Sequence, residues 1–276
     1  MDTSTSLHAP RSVLGPPSDA EVAAHLARLR ATLPELSGDV VVSHVSAALL
    51  HGLPVWDVPL ARVHVTRDRA SGGRRGRQLH VHVAPLDGQV DLIGGVAVTS
   101  VARTVVDLAR TTSFESAVVT ADAALAGGRT DTSELARMLE WSSGWRGITD
   151  ARRAIGFANP LAATVGESRS RIAIHAAGLA RPVLHWDVIS SAGRAIGRAT
   201  FAWPKSRTIG EFDGVVAYGA RLRHGPAGHD TGPAVAEEKH REAVLQEAGF
   251  SVVRWTWPDL ENFSPVALAL HREQFR

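Results

Sequence analysis

The sequence predicts an α/β protein, with an α+β N-terminal region and a C-terminal mixed sheet flanked by helices in the order αβββαβ. Three observations predict it. In the first half, runs of period two at 62–66 and 79–83 lie between runs of helical period. In the second half, one helical run precedes three strand-like runs, and a further strand follows a second helical run. Between the halves, Trp141, Gly144, Trp145, Gly147 and Asn159-Pro160 mark a joint. The chain therefore divides into an arm at 1–18, an α+β region at 19–155 and a second region at 161–276.

Ser, Pro and Thr dominate residues 1–18, which reads as a disordered arm. Ser18-Asp19 opens a helix with Val22, Leu26 and Leu29 on one face. Val40-Val41-Val42 is a short buried segment, and Ser43 is placed to cap the helix over 46–50, which stops at Gly52. The alternating runs at 62–66 and 79–83 read as a hairpin across a long basic loop containing Arg67, Arg69, Arg74, Arg75 and Arg77. A strand at 95–98 leads to a helix capped by Thr99 or Ser100, with Val101, Val105, Leu108 and Ala109 inward. Helices follow at 113–127, from Asp131 with Glu134 three residues on, and at 149–157.

In the second half, a helix at 166–177 ends at Gly178, and strands follow at 183–189, 197–203 and 208–213. A glycine-rich loop then leads to a helix at about 234–248, closed by Gly249. A strand at 251–256 and a helix at 264–274 complete the chain.

Composition narrows the function classes. With 276 residues and 44% apolar content, there is material for two proper cores. The chain has no cysteine, which removes disulfides and thiolate metal sites and fits a reducing cytoplasm. The first residues lack the basic and apolar segments of a signal peptide, and no apolar run approaches the roughly 20 residues of a membrane span. Of 30 basic side chains, lysine supplies only Lys205 and Lys239, leaving 28 arginines. Arginine suits phosphate recognition, and a GC-rich genome produces the same bias. The net charge of +2 permits nucleic-acid binding without demanding it.

The strongest chemical signal is Gly210-Glu211-Phe212-Asp213-Gly214. Residues i and i+2 of a strand share a face, so Glu211 and Asp213 point together. If Pro204–Arg207 is the connecting loop, Trp203 pairs with Thr208, Thr200 opposes Glu211 and Arg198 opposes Asp213. On the following helix, Glu237, Arg241, Val244, Leu245 and Ala248 share a face, with Glu237 and Arg241 at the edge of the sheet. Paired carboxylates beside a cation are raw material for a Mg²⁺ site in phosphodiester chemistry. The same residues also fit a solvated strand face, in which an Asp213–Arg198 pair is worth about 0–1 kcal/mol. Glu167 then is a first-turn helix acid.

The αβββαβ order, Glu167, the Gly-Glu-Phe-Asp-Gly strand and the Glu-Lys-x-x-Arg helix before 249–255 together resemble the PD-(D/E)xK nuclease superfamily. Within it they look most like domains related to very-short-patch-repair endonucleases. The resemblance covers about 161–260. It implies Glu211 and Asp213 as metal-binding acids, Glu167 as the first-helix acid, Arg241 as a phosphate contact and Mg²⁺ as cofactor. One position departs: where the family carries its first-strand aspartate, this chain has Thr200. Threonine lacks the negative charge, which argues against full nuclease activity.

In the first half, the segments 42–53, 95–109 and 121–125 resemble AbiEi-family antitoxins of toxin–antitoxin systems. The likeness covers about 20–155, and its pairing with a nuclease-like domain is familiar in actinobacterial proteins. It implies DNA and a cognate toxin as partners. Such antitoxins begin with a winged helix, and residues 1–36 offer one amphipathic helix and no wing. Two readings therefore stand: a Mg²⁺-dependent DNA endonuclease, or an inactive antitoxin-like regulator that keeps the fold for binding.

Other motifs are weaker. His80-x-His82 with His64 on the neighbouring strand offers imidazole ligands, but alternating histidines on an exposed strand face are commoner and no acidic ligand accompanies them. Arg74, Arg75, Arg77 and Lys239 are candidate phosphate contacts, and equally a solvated loop and helix surface. No Gly-x-Ser-x-Gly elbow and no Gly-x-x-x-x-Gly-Lys phosphate loop is present.

Overall fold

The computed structural model of the chain describes residues 16–36, 38–69, 71–189, 193, 195–214 and 244–275. Most of the expected arm, most of the helix at 234–248 and the residues Glu237, Lys239 and Arg241 lie outside the described residues. The architecture is α/β, with one mixed sheet in each half.

In the first half, β1 (Val40–Val42), β2 (Val63–Arg67), β3 (Arg74–Arg75), β4 (Leu79–Val83), β5 (Val90–Ile93) and β6 (Val96–Thr99) form one sheet. Its order is β3-β4-β2-β1-β6-β5. The expected hairpin between 62–66 and 79–83 is not formed: β2 and β4 are parallel neighbours, with Val63 beside Leu79 and His64 beside His80. The basic segment between them is long enough to hold a strand of its own. β3 forms there and pairs antiparallel with β4, Arg75 beside His80, so the hairpin turn falls at 76–78. The strand β5 was not expected. It turns onto β6 through Gly94 and Gly95, both at positive φ, which only glycine adopts without cost.

The first-half helices are α1 (Asp19–Thr32), α2 (His44–Leu50), α3 (Val101–Thr111), α4 (Phe114–Ala126), α5 (Thr132–Trp141) and α6 (Ile148–Phe157). Ser18 and Glu21 close a capping box on α1, and Ser100, Ser113 and Asp131 cap α3, α4 and α5. The buried face of α1 centres on Leu29 and His25. His25 Nδ1 donates to Leu60 O at 2.8 Å, and its Nε2 lies 2.9 Å from Ser46 Oγ. A carbonyl can only accept, so Nδ1 carries the proton and Ser46 donates to Nε2. Leu29, Val42, Val63, Val65, Val81 and Val98 pack together on one face of the sheet.

The second half opens with α7 (Val165–Ala176), followed by β7 (Val183–Ile189), β8 (Ala195–Trp203), β9 (Thr208–Phe212) and β10 (Ser251–Trp255). The sheet order is β10-β9-β8-β7, with β10 parallel to β9 and the other pairs antiparallel. Two helices close the chain, α8 (Trp257–Glu261) and α9 (Ser264–Gln274). Trp203 pairs with Thr208, as the loop position implies, and the β8–β9 register ends at Phe201 beside Gly210. Two glycines make room for large rings. A Cβ on Gly210 would run into Trp255 and Trp203, and one on Gly166 of α7 into the ring of Phe212.

The helix α7 also joins the halves. Arg171 donates to Asp122 at 2.6 Å and to Phe157 O, and Asp122 also accepts from Ser168 Oγ and Asn159 N. Arg169 donates to Glu115 and Glu261 and lies 4.1 Å above the ring of Trp56. Trp255 Nε1 donates to Ser170 Oγ at 2.8 Å. Trp56 and Val119 share one core cluster with Ile174, Phe201, Trp255 and Leu270.

Candidate functional site

The end of β9 opens onto a cleft of about 420 Å³ that Thr164, Glu167, Thr200, Phe212, Gly214 and Trp257 help to line. Thr164 caps α7 by accepting from Glu167 N, and this holds Glu167 at the third position of the helix. Glu167 Oε2 in turn accepts from Ala163 N at 2.9 Å and lies 3.5 Å from His185 Nε2. Phe212 meets Trp257 edge-on at 5.0 Å, and Trp257 stacks on Trp56 at 5.7 Å. Trp257 Nε1 is buried without a hydrogen-bond partner among the described residues, so it is an orphan donor at the cleft wall.

Thr200 and Glu211 come together: Thr200 Oγ1 donates to Glu211 Oε2 at 3.0 Å. The donor geometry fixes the chemistry of this pair. The hydroxyl spends its proton on the carboxylate and adds no negative charge beside it. Glu167 lines the same cleft as Thr200 but is not gathered with Glu211 and Asp213 into one ligand group among the described residues. Strand alternation sends Glu211 to the side of Ile209, which packs with Leu245. It sends Phe212 to the opposite side, against Gly166 of α7. Asp213 lies just past the end of β9, where its N–H donates to Trp255 O at 2.8 Å. Arg198 pairs on the β7 side, with Nε donating to His185 O.

A nuclease-type Mg²⁺ centre needs several anionic oxygens around one point. Glu167, Glu211 and Asp213 do not form such a group among the described residues. The residue facing Glu211 is a neutral hydroxyl donor. With Thr200 in place of an acid, Glu211 and Asp213 bring less negative charge together than the Mg²⁺ centre that the nuclease resemblance implies. Arg241, the phosphate contact in that scheme, lies outside the described residues.

The basic segment of the first half is better ordered than a loop. Arg74 and Arg75 are exposed on β3, the open edge of the sheet, and Arg77 is exposed in the turn that follows. Arg62 Nε donates to Gly76 O at 2.9 Å and braces that turn. Arg67 and Arg69 instead face Asp39. Lys239 lies outside the described residues.

The histidines are not on a solvated face. The parallel register sets His64 beside His80 and Thr66 beside His82, and His44 joins them from the junction of β1 and α2. The rings of His44 and His82 stack at 3.6 Å, and His64 Nδ1 lies 3.1 Å from His82 Nε2. Burial is the main cause that pushes His64 and His82 down to about 3 and His44 well below the ordinary imidazole range. The period-two spacing of His80 and His82 was visible in the sequence; His44, nearly forty residues away, carried no signal.

Several polar residues of the segments 42–53, 95–109 and 121–125 are held in buried contacts. Arg103 and Asp107 form a buried pair at 2.8 Å, with Arg103 also donating to Pro85 O and facing the ring of Trp145 at 4.6 Å. Asp122 anchors α7, and Ser43 Oγ accepts from Thr66 Oγ1 at 2.8 Å.

No family model matches the chain. The chain is similar to uncharacterized proteins of Mycobacterium tuberculosis from strains CDC 1551 / Oshkosh and ATCC 25618 / H37Rv. Each is 29% identical over 228 residues, which cover 83% of this chain and 78% of the relative. Among the described residues, no helix is long and apolar enough to cross a membrane.

Proposed function

We propose that the protein is a DNA-binding regulator of the antitoxin type, whose nuclease-like second half binds rather than cuts. The observation that carries this reading is the hydrogen bond from Thr200 to Glu211. At the position where hydrolysis needs a second acid, the chain supplies a hydroxyl that satisfies the first. The exposed arginines of β3 and its turn supply the positive edge for a phosphate backbone. A toxin is the further partner that the antitoxin likeness implies. A Mg²⁺-dependent endonuclease is the second reading, favoured by Glu167 and Thr200 lining one cleft.

The test is fluorescence anisotropy of a labelled DNA duplex titrated with the full chain at several salt concentrations. Binding weakens steeply with salt if arginines displace counterions. Replacing Arg74, Arg75 and Arg77 together by alanine lowers the log–log salt slope by about 3, close to one for each lost phosphate contact. Absence of salt-dependent binding, or an unchanged slope in the triple variant, contradicts the proposed interface.

A further inference from the structure

We propose that His44, His64 and His82 form a binding site for a divalent transition-metal ion of the zinc class, with the fourth position left to water or an anion. Each ligand comes from a different element: His44 from the start of α2, His64 from β2 and His82 from β4. One nitrogen from each lies within 4.8 Å of the other two. Nitrogens about 2.0–2.1 Å from a tetrahedral ion stand about 3.4 Å from one another. His64 Nδ1 and His82 Nε2, at 3.1 Å, are already near that separation.

The third ligand is held there against backbone preference. His44 has φ of +52°, a left-handed conformation that costs an ordinary residue energy and persists where the surroundings impose it. Ser43 Oγ lies 3.0 Å from His44 Nδ1. Accepting that proton leaves Nε2 with the lone pair that a metal needs, and Thr66 Oγ1 donates to the same serine at 2.8 Å. Metal-binding histidines are ordinarily oriented by such an outer acceptor.

The surrounding charge says what completes the site. Arg103 and Arg110 raise the local potential, and Asp107 pairs with both, at 2.8 and 3.6 Å. Arg110 Nε is buried without a hydrogen-bond partner among the described residues. A net positive surrounding with an orphan donor favours an anionic fourth ligand. Imidazole ligands without a carboxylate select zinc, copper, nickel or cobalt over magnesium and calcium.

The test is calorimetric titration of the chelator-stripped full chain with Zn²⁺ and with Mg²⁺, followed by X-ray absorption on the Zn²⁺-loaded protein. The expected result is one tightly bound Zn²⁺ per chain, no Mg²⁺ heat from this site, and three imidazoles in the first coordination shell. His64→Gln and His82→Gln each weaken Zn²⁺ binding by more than about a hundredfold, and Ser43→Ala by about 10–100-fold. No Zn²⁺ binding, wild-type affinity in folded His64→Gln and His82→Gln, or fewer than three imidazoles in the shell would each overturn the site. The absorption measurement uses the unaltered chain, so it decides the matter even if a variant fails to fold.

Discussion

Arg103, Arg169 and Arg171 are buried arginines that each end on a carboxylate and lie against an aromatic ring: Trp145, Trp56 and Phe157 respectively. The guanidinium suits this double role because it is planar and less strongly hydrated than an ammonium. Removing one partner of a buried pair leaves an uncompensated charge. Arg171→Ala should therefore destabilise the protein by about 3–5 kcal/mol in chemical denaturation, because Asp122 loses its counter-charge; a change below about 1 kcal/mol would place the pair in solvent. His25 gives a pH dependence. Burial lowers its pKa in the folded state, ahead of the opposing effect of its bond to Leu60. The folded form therefore stays neutral where the unfolded form takes up a proton. Its contribution is present above the unfolded value of about 6.5 and is lost as pH falls below it. Replacing His25 by Asn should flatten the loss of thermal stability from about pH 7 to about pH 5 relative to wild type. Equal slopes in the two proteins would show that His25 is not the titrating group. None of these burial states was legible in the sequence, because an arginine or histidine on a helix reads as solvated until its tertiary partner is known.

At the scale of elements, the second sheet was the more readable. Pro204–Arg207 has the composition of a turn, so the register of Trp203 on Thr208 followed from it, and with it the meeting of Thr200 and Glu211. The first sheet departs from the expected pairing at one connection. Two alternating runs separated by a glycine-rich segment suit a hairpin, and nothing local shows that the two-residue strand Arg74–Arg75 takes the antiparallel partner instead. The helix position of Glu167 was legible, but the sheet face on which α7 packs is a tertiary property. Gly166 fixes that packing. Gly166→Ala drives a methyl group into the ring of Phe212 and should cost about 1–3 kcal/mol by overpacking, with Phe212 displaced into the cleft. A change in tryptophan fluorescence from Trp257, whose ring Phe212 meets edge-on, should accompany it. Unaltered stability and fluorescence would mean that α7 is not seated on Phe212.

At the scale of the molecule, two mixed sheets are joined through α7, and the features that face outward differ in kind between them. The first sheet ends in an arginine-bearing edge and encloses a histidine cluster. The second carries a cleft with aromatic walls, with Trp257 Nε1 lacking a hydrogen-bond partner among the described residues and the Thr200 hydroxyl facing Glu211. The proposed function, binding a polyanion without hydrolysing it, rests on this arrangement. It is tested most directly by incubating supercoiled plasmid with the full chain in Mg²⁺ or Mn²⁺ and resolving each sample with and without protein removal. The account predicts retarded plasmid before protein removal and intact supercoiled plasmid after it, for wild type and for Glu211→Ala alike. Nicked or linear plasmid with wild type, lost in Glu211→Ala, would contradict it and make the second half a working nuclease.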